Sequence, residues 1–112
     1  MSADTLLVIT TFPDMKSAER AARALVEQGI AACVNVLTAC HSVYRWQGKV
    51  ETAMEIPLLI KTTRPRYAAV ETRIRALHPY ELPEIIALPL TAGLPAYLEW
   101  IKKETEPPCV VC

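Results

Sequence analysis

The sequence predicts an α+β domain with the element order β-α-β-β-α-β and an extra C-terminal helix. Apolar runs of period two alternate with stretches of helical period. A single Trp46-Gln47-Gly48-Lys49 turn separates two long alternating segments, and Asp14, Pro65 and Pro95 stand where helices begin.

Leu6 to Phe12 is rich in Val, Ile and Thr and is closed by Pro13-Asp14, which reads as a buried strand ending in a turn. Asp14 has the position of an N-cap. Met15, Ala18, Ala22, Leu25 and Val26 then recur on one helical face, opposite Lys16, Glu19, Arg20, Arg23 and Glu27, until Gly29 supplies a left-handed stop. Ile30, Ala32, Val34 and Val36 alternate with Ala31, Cys33 and Asn35, as Met54, Ile56, Leu58 and Ile60 do with Glu55, Pro57, Leu59 and Lys61. Both segments read as arms of one hairpin turning at Gly48. With about 12 paired residues per arm at ~3.3 Å each, the hairpin reaches about 40 Å. A compact chain of this length, with a radius of gyration of about 13 Å, is only about 34 Å across, so the tip projects. Val43, Tyr44 and Trp46 make that tip an apolar edge, and a second subunit is its simplest cover.

Pro65 fits the N1 position of a second helix, marked by Tyr67, Val70, Ile74 and Leu77 and ended by His78-Pro79. Glu84 to Leu90 reads as a strand, with Pro89 implying an edge or a bulge. Pro95 opens a third helix with Leu94, Tyr97, Leu98 and Ile101 on its buried face, and Glu106-Pro107-Pro108 ends regular structure. Right-handed crossovers between these elements give a ferredoxin-like βαββαβ sandwich. One domain over residues 1–112 is expected, its core at about 5–104 and a tail at 105–112.

Composition narrows the function. The chain has 112 residues, 52% hydrophobic and 21% charged, which excludes disorder and coiled-coil composition. Twelve basic against twelve acidic side chains leave no net field for a phosphate backbone, so nucleic acid is not an expected partner. Such a hydrophobic fraction in so small a chain points to self-association. Asn35, Thr38, His41 and Ser42 interrupt the longest uncharged window, so no membrane span is expected. The first basic residue is Lys16 and no secretory pattern precedes it, which makes a reducing cytoplasm the expected location for the four cysteines.

Nucleophilic catalysis and nucleotide-loop chemistry lack their motifs, and three glycines are too few for a phosphate cradle. Metal ligation is the stronger theme, through Cys33, Cys40, His41, His78, Cys109 and Cys112. Cys33 also suits a small core position. Cys40 and His41 are adjacent and point to opposite faces of a strand unless the chain bulges. Cys109-x-x-Cys112 has redox or zinc spacing, yet lies at the chain end. The stretch His78-Pro79-Tyr80-Glu81-Leu82-Pro83-Glu84 presents an imidazole, a phenol and carboxylates on a loop stiffened by prolines. His78 equally suits a helix C-terminus, and the glutamates suit pairing with Lys49 or Lys61. Tyr44-Arg45-Trp46 offers either a stacking platform or packing for a neighbouring subunit.

Ala31-Ala32-Cys33-Val34-Asn35, Ser42-Val43-Tyr44-Arg45-Trp46-Gln47-Gly48-Lys49, Leu59-Ile60-Lys61-Thr62 and His78-Pro79-Tyr80-Glu81-Leu82-Pro83-Glu84-Ile85 resemble, in order and spacing, the CutA divalent-cation tolerance proteins from about Leu7 to Lys102. The resemblance implies a ferredoxin-like protomer related in shape to PII proteins, a tight homotrimer joined through edge strands, a cytoplasmic location, and tolerance to copper and other divalent cations without an enzymatic reaction. It also implies copper ligands where this chain has Thr10 and Leu77-His78, so only His78 matches. Cys40, His41 or Glu84 of a neighbouring subunit would complete the coordination of Cu(II) or another divalent cation. Two rival functions stand beside this one. A PII-like sensor would hold a small anionic metabolite in an intersubunit cleft through Tyr44, Trp46, Lys49, Lys61, His78, Tyr80, Glu81 and Glu84. A structural or protein-docking trimer would need no site.

Overall fold

The computed structural model describes residues 4–107. Its elements are β1 (Thr5–Phe12), α1 (Met15–Glu27), β2 (Cys33–Val36), β3 (Cys40–Trp46), β4 (Lys49–Thr63), α2 (Tyr67–Leu77), β5 (Ile85–Pro89) and α3 (Pro95–Glu104), with one 3₁₀ turn at Arg64–Arg66 ahead of α2. The tail pair Cys109 and Cys112 lies outside the described residues. The expected α+β order is present. All pairing is antiparallel, in the order β2-β4-β1-β5, with β3 on the projecting part of β4.

Helix α1 starts where Asp14, extended at φ −152°, accepts the Ser17 N–H at 2.7 Å. It ends in a Schellman motif: Gly29 at φ +70° lets its own N–H reach the Val26 carbonyl and the Ile30 N–H reach the Leu25 carbonyl. That turn keeps Ile30 and Ala31 out of the ladder, and Ala32 donates to the Lys61 carbonyl at its start. All three are buried, and the strand expected from Ile30 begins only at Cys33.

One face of the sheet carries Val8, Phe12, Ile56, Leu58 and Ile60 against Ala18, Ala21 and Leu25 of α1 and Val70 and Ile74 of α2, which form the core. The other face is helix-free except at one end. There the α3 terminus places the Thr105 and Thr63 hydroxyls 3.5 Å apart. Of the four apolar residues expected beneath α3, Ile101 is buried and Leu98 half-buried, while Leu94 is 71% and Tyr97 40% exposed. The covered end of the sheet is too short for the whole helix. In the same way, Met15 and Val26 of α1 stay exposed.

The first hairpin arm is broken. Val36 pairs with Leu58, yet Cys40 pairs with Glu55, so Leu37, Thr38 and Ala39 oppose only Ile56 and Pro57. Leu37 donates to the Pro57 carbonyl, but proline has no N–H to return the bond, and the ladder bulges by one residue. Because side chains alternate, that one residue inverts the faces of β3. Cys40, Ser42, Tyr44 and Trp46 share the helix-free side with Glu55, Pro57 and Leu59, while His41, Val43 and Arg45 take the opposite side.

Beyond the bulge the hairpin projects as expected. The molecule measures 51 × 29 × 24 Å, its long axis matching fifteen residues of β4 at ~3.3 Å each. The turn has positive φ at both central residues, Gln47 at 50° and Gly48 at 81°, as a type I′ turn requires. A side chain at Gly48 would meet no atom within 4 Å, so only backbone strain opposes one. Gly48→Val should cost about 1–2 kcal/mol in urea unfolding. Gly48→Asn should cost less than half of that, because asparagine tolerates the left-handed region.

A candidate cation cleft beside the projecting hairpin

Strand β4 runs past the end of β1, whose last partner on it is Ile56. The space left beside Glu55 is closed by the loop between α2 and β5. The result is a cleft of about 950 Å³ on the helix-free side. Its walls are Ser42, Val43, Tyr44 and Trp46 of β3, Glu55 of β4, Thr11 of β1, and Pro79 to Ile86 of the loop and β5.

His78 holds the loop in place. It ends α2, is buried, and stacks on Phe12 with ring centroids 4.4 Å apart. Its Nε2 lies 2.6 Å from the Thr11 carbonyl, and its Nδ1 lies 3.1 Å from the Tyr80 amide. A carbonyl only accepts and an amide N–H only donates, so Nε2 carries the proton and Nδ1 is the acceptor. Both nitrogens are therefore engaged, and the one acceptor lone pair, on Nδ1, is taken by the Tyr80 N–H. A cation at Nδ1 would have to displace the Tyr80 N–H. The loop is anchored to the end of β1, and Tyr80 is delivered to the cleft.

There the Tyr80 phenol comes under the influence of Glu55, a residue only 8% exposed. Burial, and then the charge of Glu55, push the Tyr80 phenol above its ordinary 10.0. Glu81 and Glu84 are exposed at the cleft's loop side.

The cleft thus brings together Tyr44, Trp46, Tyr80, Glu81 and Glu84 from the sequence candidates. It leaves out Lys49, at the turn opposite Trp46, and Lys61, which donates to the Asn35 side-chain carbonyl. Cys40 sits next to the cleft on the same face, with its sulfur 3.8 Å from the Ser42 hydroxyl, while His41 points to the other side. Among the described residues no group of three His, Cys, Asp or Glu side chains is placed to hold a metal. Thr10, where the resemblance implies a cysteine, faces the helices and has a buried hydroxyl without a hydrogen-bond partner. Glu55 is the site residue that the pattern did not single out. Its signal is a lone carboxylate in the alternating run around Ile56 and Leu58, two residues before the proline that makes the bulge.

A mixed sheet-and-helix protomer with a projecting hairpin and an acidic, aromatic cleft at its root defines a protein of the ferredoxin-like class. The family model described as CutA1 divalent ion tolerance protein matches residues 6–104. The chain belongs to that family. It is 44% identical over 99 residues to the divalent-cation tolerance protein CutA of Thermus thermophilus, covering 88% of this chain and 96% of that one. It is also 44% identical to protein CutA of Mus musculus over 96 residues, 86% of this chain but 54% of the mouse protein. Among solved structures, CutA from Xylella fastidiosa superposes with a TM-score of 0.89 at 51% identity, covering 92% of this chain and 99% of that one. The periplasmic divalent cation tolerance protein CutA from Archaeoglobus fulgidus gives 0.88 at 36%, covering 91% and 99%. No described helix is long and apolar enough to cross a membrane.

The Tyr80–Glu55 contact is open to titration. Ultraviolet titration of the phenol in Glu55→Gln should give a Tyr80 pKa lower than in the wild type, because the charge opposing the phenolate is gone. It should remain above 10.0, because burial persists.

Proposed function

We propose that the chain is a divalent-cation tolerance protein that works by binding, without catalysis, as a homotrimer in a reducing cytoplasm. The observation that carries the binding reading is the cleft's charge. Glu55, Glu81 and Glu84 line it and, among the described residues, no lysine or arginine does. In this reading the carboxylates gather a divalent cation such as copper at the hairpin root, and donors of a neighbouring copy (Cys40, His41 or Glu84) complete its coordination. His78 acts first by orienting the loop, and becomes a ligand only by exchanging the Tyr80 N–H for the ion. Free thiols at Cys33 and Cys40 fit a reducing compartment. The same charge disfavours the anionic-metabolite reading, since an anion would face three carboxylates without a compensating cation.

Exposed apolar surface supports the trimer. Ile86 and Leu88 on the free edge of β5, Val43, Val50 and Met54 on the hairpin, and Leu94 and Trp100 of α3 all lie open in a single chain. Native mass measurement at micromolar concentration should return three chains, and a monomer there would remove the trimer. Calorimetric titration with Cu(II) and manganese(II) should show binding that Glu84→Gln weakens by about tenfold, one charge-assisted contact being worth roughly 1.5–3 kcal/mol. Affinity unchanged in Glu84→Gln and in Glu55→Gln would place the ion elsewhere.

A further inference from the structure

The cleft's aromatic wall has no part in holding a metal ion, which takes lone pairs and not ring faces. Tyr44 and Trp46 reach the wall from β3 and Tyr80 from the opposite loop, each about two-fifths exposed at 42%, 38% and 37%. The bulge between β2 and β3 is what puts Tyr44 and Trp46 on this side. Beneath them lies Glu55, more than nine-tenths buried and facing no basic side chain among the described lining residues. A buried carboxylate without a counter-charge is costly, and a cation entering the cleft relieves it.

Size and lining define which cation. A volume of about 950 Å³ is that of a pocket for a whole organic molecule, many times what one dehydrated ion fills. Electron-rich ring faces attract an ammonium group within about 6 Å of their centroids. A carboxylate accepts its N–H protons as short, charge-assisted hydrogen bonds. Next to this polar end, Leu82, Pro83 and Ile86 supply an apolar wall that a metal ion has no use for and an alkyl chain does.

We propose that the cleft binds a small organic ammonium ion, its charged head at Glu55 among Tyr44, Trp46 and Tyr80 and its aliphatic part along Leu82, Pro83 and Ile86. The proposal rests on the reading of this cleft as the cation site and narrows the class of cation it takes.

The test uses the full chain as purified and three probes that share one alkyl chain: pentylammonium, pentan-1-ol and pentanoate, titrated by calorimetry beside manganese(II). Pentylammonium should bind about tenfold tighter than pentan-1-ol, and pentanoate should bind weakest. Trp46→Leu and Glu55→Gln should each weaken pentylammonium by about fivefold or more. Trp46→Leu should leave manganese(II) within about twofold, since the ring gives it no lone pair. Thermal melting checks that each variant is folded. If Glu55→Gln is not, Glu84→Gln, at an exposed position, replaces it and should weaken pentylammonium in the same direction. Equal affinity for the amine and the alcohol, or pentanoate binding tightest, would overturn the proposal. So would pentylammonium binding that folded Trp46 and Glu55 variants leave intact. Manganese(II) binding without pentylammonium binding would overturn it while leaving the metal reading in place. The reverse pattern would support it and remove the metal reading, and binding of neither would remove both.

Discussion

A single strand, Lys49–Thr63, pairs with β1, β2 and β3, and the shape of the protein follows from the unequal use of its two halves. From Ile56 to Thr63 it is a central strand, paired by β1 on one side and by β2 along part of the other. On its helix-covered side Ile56, Leu58 and Ile60 reach the core. From Lys49 to Glu55 it has one partner, β3, and no helix beneath it. Burial falls along the strand accordingly, and the hairpin remains an exposed ribbon. An isolated two-stranded ribbon is marginal in water, so its apolar side chains are suited to burial by another copy.

The cleft exists because β1 stops at Phe12 while β4 continues. Two devices fill that step in the sheet. His78, packed on Phe12 and bonded at both nitrogens, ties the loop to the end of β1 and turns Tyr80 toward Glu55. Pro57, by withholding one N–H, opens the bulge that brings Tyr44 and Trp46 to the same side. Neither residue need touch a ligand for its removal to rearrange the site.

Much of this was legible in the sequence. The period-two runs, Asp14, Gly29, Gly48 and the His78-Pro79 step each have a local physical meaning, and the elements they imply are present. The projecting tip followed from arithmetic on strand rise. The errors have a common source in distance along the chain. Ile30 to Ala32 alternate like a strand, but the Schellman turn spends the Ile30 and Ala31 N–H groups on the Leu25 carbonyl, and pairing starts later. Leu94 and Tyr97 have the spacing of a buried helix face, yet the sheet beneath α3 ends before it covers them. Lys49 and Lys61, expected in a cleft shared between subunits, do not line this cleft within one protomer, and the pairing register places them away from it. Glu55 went unnoticed because its importance depends on where β1 stops, a fact written forty residues earlier in the chain.

The extra residue between β2 and β3 also makes the cleft's character a matter of counting. Lengthening or shortening the 37–39 segment by one would exchange the hairpin's two sides, presenting Val43 and Arg45 where Tyr44 and Trp46 now stand, with every residue of the hairpin unchanged in identity. A change of two would leave the presentation as it is. Parity of segment length, independent of composition, could thus convert an acidic aromatic cavity into one with a guanidinium on its wall and so reverse the sign of charge it welcomes. The β1, β4 and β5 pairings that build the core would be untouched by such a change. The scaffold carries a built-in means of altering its ligand class at little cost to its fold.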